Sequence, residues 1–396
     1  MSNCRICGGQ ASEFLDLGMQ PFANKYPKNK SEIDAETKHE MIVEFCVECK
    51  SAQISSIIDR EMMFNDYYYL SSVNRELVQH FNELAGEELK DCQFVLDVGS
   101  NDGILLRPLK EKNIKCLGID PSVNVGKLAN DEDLETIIGF LDDNSVKNVK
   151  DNYGIPDAIV ASSVFTHIED PTVFIDKLRS LCGRDTSVYV EIEYLGNLIK
   201  NLQFERFYFD RPHYYSIKGM QSMFSKGGLK LTSIKEITPH GGSLRLKFNL
   251  DAHAIPEHPS INYFLEKEQK LLSAEIIDNF SNVVCAEAQK LIAMLEELKI
   301  KGKNVIGYGS PARLATITNF CNIDENLIPV VFEDSPLKIG SYTPGQHIPI
   351  KGSQELETTD FDCIIVFAYE YIKSIKEKTD KYNVPHYKPI PLTEIG

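Results

Sequence analysis

Apolar runs separated by polar turns divide the chain into two stretches of alternating strand and helix pattern, with a long helical pattern between them. In the first stretch, Phe94-Val95-Leu96-Asp97-Val98 reads as a buried strand that enters Gly99-Ser100-Asn101-Asp102-Gly103 and then a helical run, ILLRPLKEK. A second apolar run, Cys116 to Ile119, ends in Asp120. Two further strands follow: residues 157–161, leading into Ser162-Ser163-Val164-Phe165-Thr166-His167, and residues 187–190, leading into Glu191 and Glu193. Upstream, residues 61–91 predict an aromatic loop and then a helix that Ser72 is placed to cap. Residues 256–300 repeat apolar side chains at helical spacing, interrupted by Glu268, and predict one long or two shorter helices. The second stretch opens at residues 304–312 and continues with strands at 328–332 and 363–367.

Strand, glycine loop, helix, strand and terminal acid form the layout that grips an adenosine ribose at the carboxyl edge of a parallel sheet. The loop is G-x-N-x-G, without the dinucleotide G-x-G-x-x-G, which favours S-adenosylmethionine over NAD. Asp97, Gly99, Asn101, Gly103, Asp120 and Ser162 are the cofactor-binding candidates. Gly307, Gly309 and Ala312 do fit G-x-G-x-x-A, and Tyr369 and Lys373 give a Tyr-x3-Lys match, so an NAD-dependent oxidoreductase is a third and last-ranked reading.

Cys4 and Cys7 form one C-x2-C pair, and Cys46 and Cys49 form another. Two such knuckles complete a tetrahedral set of four thiolates, which predicts a structural Zn2+ with no open position. The other cysteines, at 92, 116, 182, 285, 321 and 363, read as core thiols. A length of 396 residues predicts two or three domains. Lys+Arg 42 against Asp+Glu 58 gives −16, which argues against a nucleic-acid partner. No transmembrane run or signal peptide is read, so a reduced, soluble, cytoplasmic monomer without a membrane partner is expected.

Residues 204–216 (FERFYFDRPHYYS) hold two acids, two arginines, a histidine and six Phe or Tyr rings. Such a segment is either a surface loop clamped on the core or a substrate-facing lid. His240-Gly241-Gly242-Ser243-Leu244-Arg245 is either an ordinary turn entering a strand or a backbone that approaches a ligand.

Taken in order, the cysteine pairs, DYYYLSSVN, DVGSNDG, SVFTHI, HGGSLR, GYGSPA and EDSPLKIGSYTPGQHIPI resemble the nucleotide-sugar C-methyltransferases along nearly the whole chain. That resemblance implies an α/β protein with three parts. They are a zinc-binding module at 1–66, a class I methyltransferase Rossmann-like domain at 67–250, and a helical linker with a C-terminal Rossmann-like domain at 251–396. It implies a nucleotide-diphosphate sugar bearing a 4-keto group as substrate. Tyr69 and His167 then face the sugar, while His240, Arg245 and Ser310, with Arg313 as a further cation, hold the nucleotide half. One departure stands out. The family lid reads Tyr-His-Glu-His, its last His being the general base, whereas this chain reads Tyr208-Phe209-Asp210-Arg211. Arginine stays protonated and cannot take a proton.

The leading reading is carbon methylation next to a sugar ketone through an enolate. His167, or else His213, is the base, and Tyr69 or Tyr208 is the donor to the enolate oxygen. Arg211 is an electrostatic stabiliser or phosphate ligand, and Asp210 remains a reserve candidate. The alternatives are O-methylation of a sugar nucleotide and a non-catalytic sugar-nucleotide-binding relative that has lost its base.

Overall fold

The computed structural model describes residues 2–58, 70–239, 242–251 and 255–395. Its strands form three sheets. In the first, Gln10–Pro21 and Lys38–Cys46 pair antiparallel, flanked by Ser2–Asn3 and Ala52–Ile54. The fifth strand comes from far along the chain: His213 pairs with Gln53 and Tyr214 with Ala52.

The second sheet has seven strands, in the order Leu229–Ile237, Ser243–Leu250, Ser187–Glu193, Ala158–Ser162, Phe94–Val98, Lys115–Asp120 and Thr136–Ile138. The first two join antiparallel and the rest run parallel. Chain order reverses between Phe94–Val98 and Ala158–Ser162, and ligands bind at such a switch point, outside the carboxyl ends. Those ends carry Gly99, Asp120, Ser162 and Glu193. The third sheet holds Ile350–Gly352, Val331–Glu333, Val305–Tyr308, Cys363–Val366 and His386–Lys388 in parallel, with Thr393–Glu394 antiparallel at the edge.

The helical stretch divides into Ser260–Leu271 and Ala274–Ile300. Glu268 interrupts the apolar stripe for a reason: its carboxylate accepts from the amides of Ile217 (2.6 Å) and Lys218 (3.0 Å), the first turn of the Ile217–Lys226 helix. A buried acid thereby satisfies orphan N–H groups at a helix start. Two expectations are corrected. The helix after the aromatic loop is Arg75–Glu87 and is capped by Asn74, whose Oδ1 accepts from Glu76 and Leu77. Ser72 lies in the preceding short turn. Cys285 is exposed, because it sits on the outer face of a helix that buries Phe280, Val284, Ala288 and Leu291.

One core joins the parts. Phe14, Val43, Phe204, Phe207, Phe280, Leu291, Val305 and Ile365 belong to a single buried cluster. The segment at 204–209 therefore packs between the N-terminal sheet, the long helix and the third sheet. No described helix is long and apolar enough to cross a membrane.

Candidate active site

The two knuckles fold as their spacing dictates. In the first, Gly8 N donates to Cys4 O at 2.8 Å, and Lys50 N donates likewise to Cys46 O in the second. All four sulfurs lie within 4.8 Å of one another, with Cys4–Cys49 and Cys7–Cys46 at 3.6 Å. A tetrahedron with Zn–S bonds of about 2.3 Å has edges of about 3.8 Å, so the set fits zinc.

At the second sheet's carboxyl edge, Gly99 and Gly103 have φ +78° and +79°. A Cβ on Gly99 would stand 2.0 Å from Val164 Cγ2, so only glycine lets the loop turn there. Asp120 Oδ2 accepts from Asn101 N at 2.8 Å, and Oδ1 accepts from Ser122 N at 2.9 Å. These bonds aim the carboxylate while leaving each oxygen a further lone pair for a ribose hydroxyl. Asp97 is buried at the end of its strand, and desolvation, with Asp120 and Glu191 nearby, pushes its pKa up to about 8. Ser71 N donates to Asn101 Oδ1 (3.0 Å), while Ser72 N (3.2 Å) and its hydroxyl both donate to Asp102. This strap across the loop has no signature in the sequence, because adjacent Ser-Ser and Asn-Asp pairs carry no local signal of a contact thirty residues away.

Ser162 lies at the same edge, but its hydroxyl donates to Glu191 at 2.5 Å. Burial opposes the charge on Glu191, yet His80 (2.9 Å) and Arg245 Nε (2.7 Å) hold its pKa down to about 2. Arg245 also reaches Glu88 at 2.8 Å and is 4% exposed. It is thus the counter-ion of Glu191 and is not gathered with Ser310 and Arg313, as a nucleotide contact would require. Tyr69 and His240 lie outside the described residues.

Residues 204–216 lie over this edge, buried except at Asp210 and Arg211, which are partly buried. His167 follows the Ala158–Ser162 strand, in a short turn, and its Nδ1 donates to the Asp210 carbonyl at 2.6 Å. Burial pushes the Asp210 carboxyl up to about 6, against the pull of Arg211. His213 is fully buried in its two-residue strand, with Nε2 3.3 Å from Glu169 O, and this strand packs against the short turn that carries His167. Tyr208 is buried; the Arg211 guanidinium lies 4.8 Å from its ring centre.

An ion network connects the lid to the third sheet. Glu193 accepts from Arg206 (2.9 Å) and Arg211, and Glu370 accepts from Arg206 and Arg313 (2.7 Å). Tyr369 donates to Glu205 at 2.6 Å, and Arg313 stacks 4.5 Å from the Tyr369 ring. Glu193 and Glu370 lie at or just after carboxyl ends of their sheets, so the two edges meet here. Ser310 belongs to the third sheet's glycine turn: its N donates to Glu333 (2.7 Å), and its carbonyl accepts from Tyr26 (2.6 Å) and Lys338 (2.7 Å). A Cβ on Gly309 would strike Ala368 at 2.3 Å, so this glycine serves strand packing.

Comparison with known proteins agrees with this layout. Residues 4–64 match a zinc binding domain, residues 62–234 a methyltransferase domain, and residues 238–387 the C-methyltransferase C-terminal domain. The C-methyltransferase NovU of Streptomyces niveus is 24% identical over 393 residues, covering 96% of this chain and 93% of that protein. Among solved structures, magnesium protoporphyrin IX methyltransferase of Synechocystis PCC 6803 covers 48% of this chain and 92% of its own at 16% identity, TM-score 0.35. A protein from Pyrococcus horikoshii OT3 covers 49% of this chain and 100% of its own at 13% identity, TM-score 0.38. Three matched segments in this order, with a known C-methyltransferase aligned along nearly all of the chain, place it among the S-adenosylmethionine-dependent C-methyltransferases with a zinc-binding N-terminal module.

Proposed function

We propose that the enzyme methylates the carbon next to the ketone of a nucleotide-linked keto-deoxysugar in the reducing cytoplasm, and that His167 removes the proton. S-adenosylmethionine supplies an electrophilic methyl group. The chain must therefore generate a carbon nucleophile in a dry, oriented site. The bond from His167 to the Asp210 carbonyl carries this reading. A carbonyl oxygen only accepts, so Nδ1 bears the hydrogen, and the lone pair of the neutral ring is on Nε2, the tautomer a base needs. Arg211 supplies positive charge next to the developing enolate, while Tyr208 supplies a hydroxyl. Asp120 orients the ribose, and Phe140, 62% exposed just beyond the neighbouring strand end, covers the adenine. The nucleotide extends toward Ser310 and Arg313 at the third sheet's edge.

Hydrogen–deuterium exchange at the carbon next to the ketone isolates proton removal from methyl transfer. His167→Ala should nearly abolish it while retaining S-adenosylhomocysteine binding, and His213→Ala, where it folds, should keep it. Exchange surviving in His167→Ala would move the base elsewhere. No exchange in the wild type would replace the enolate route with O-methylation.

A further inference from the structure

We propose that Tyr371, in the third-sheet domain, is a positioning residue for the cofactor, acting through Asn74 on the strap that crosses the glycine loop. It depends on the cofactor site alone and holds whichever acceptor is methylated. The short helical turn Tyr369–Tyr371 follows the carboxyl end of the Cys363–Val366 strand. Its three consecutive residues bond three different parts of the chain. Tyr369 donates to Glu205 at 2.6 Å, and Glu370 accepts from Arg206 and Arg313. The Tyr371 hydroxyl accepts from Asn74 Nδ2 at 2.9 Å.

Asn74 faces both ways. Its Oδ1 caps Arg75–Glu87, which turns Nδ2 outward to Tyr371, and its own N donates to Ser71 O at 3.2 Å. Ser71 N reaches Asn101 Oδ1, Ser72 reaches Asp102, and Asn101 N reaches Asp120. Hydrogen bonds thus run without a break from the third sheet's edge to the acid that orients the ribose. The strap needs them. Ser71–Val73 is one short turn with no buried residue, and Val73 is 72% exposed, so packing does little to hold it. Asn101 has φ +49°, a left-handed conformation that persists where surrounding bonds fix it. A strap tied at Asn101 and Asp102 on one side and at Tyr371 on the other keeps that loop in its binding shape. Tyr371 is half-exposed, so its bond is worth a few-fold in affinity rather than orders of magnitude.

Surface plasmon resonance on the full chain reads S-adenosylhomocysteine affinity and dissociation. Hydrogen exchange followed by mass spectrometry reads peptides over 70–77 and 367–373. Tyr371→Phe removes only the hydroxyl. It should weaken binding about three- to five-fold through faster dissociation and speed exchange at the Ser71 and Ser72 amides, with Tm unchanged. Asn74→Ser keeps a helix cap but lacks the reach to Tyr371, and should show the same loss. The double variant should lose no more than either single one. Asn74→Asp keeps the cap and accepts from the Tyr371 hydroxyl with the bond reversed, so it should bind nearly as the wild type does. Coupling between two sites is reciprocal. S-adenosylhomocysteine should therefore slow exchange in the 369–371 turn of the wild type and leave it unchanged in Asn74→Ser. Affinity and exchange unaltered in Tyr371→Phe, or losses that add in the double variant, would overturn the proposal. Asn74→Asp behaving like Asn74→Ser would do so too.

Discussion

Asn101 N donates to Asp120 Oδ2 at 2.8 Å, which ties the glycine loop to the acid at the neighbouring strand's end. The pair makes the cofactor grip one rigid unit. Asp120→Ala should therefore weaken S-adenosylmethionine binding about ten-fold or more, through loss of charge-assisted bonds worth roughly 1.5–3 kcal/mol. Titration calorimetry gives the constant, and an unchanged value would mean that the loop serves another ligand.

Asp97 sets a pH dependence of stability. Its folded pKa of about 8 exceeds the ordinary 3.8, so the folded state binds the proton more tightly than the unfolded chain. Its contribution is fully favourable below the unfolded value and is lost as pH rises through the interval up to about 8. Asp97→Asn should raise Tm at pH 8 and leave it nearly unchanged at pH 4. Equal shifts at both pH values in scanning calorimetry would refute the assignment.

The zinc site predicts one metal per chain and a wider effect than local unfolding. Ser216 Oγ donates to the Cys49 carbonyl at 2.5 Å, and the lid strand pairs with Ala52 and Gln53 just beyond that knuckle. Chelation, or Cys46→Ser, should then expose the lid to proteolysis as well as residues 2–58. A lid that stayed protected after metal loss would contradict this.

Glu268 offers a purely structural test. Replacing it with Ala leaves the Ile217 and Lys218 amides without their acceptor and should cost about 2 kcal/mol. Urea unfolding at unchanged m-value is the measurement, and a loss under a few tenths of a kcal/mol would show that other groups cap the helix.

What the sequence makes legible is local. The C-x2-C knuckles, the G-x-N-x-G loop and the acid twenty residues later are each set by short-range geometry, and all three fold as read. Long-range partners were hidden. His213 had the composition of a candidate base, but its two-residue strand takes its register from Gln53, 160 residues upstream, and that pairing buries it. The family resemblance assigns Arg245 to the nucleotide; only the sheet order places it across from Glu191. Ser72 and Asn74 are both good caps, and the choice between them was made by Asp102, which claims Ser72.

That fifth strand also decides where such enzymes can be recombined. A swap between relatives at the end of the metal module would separate residues 213–214 from the sheet that pairs with them, and Arg5, which reaches the Pro212 carbonyl, from its acceptor. The inheritable unit is discontinuous: the first 58 residues travel with 204–216, and a chimera that exchanges one without the other joins mismatched halves of a single sheet.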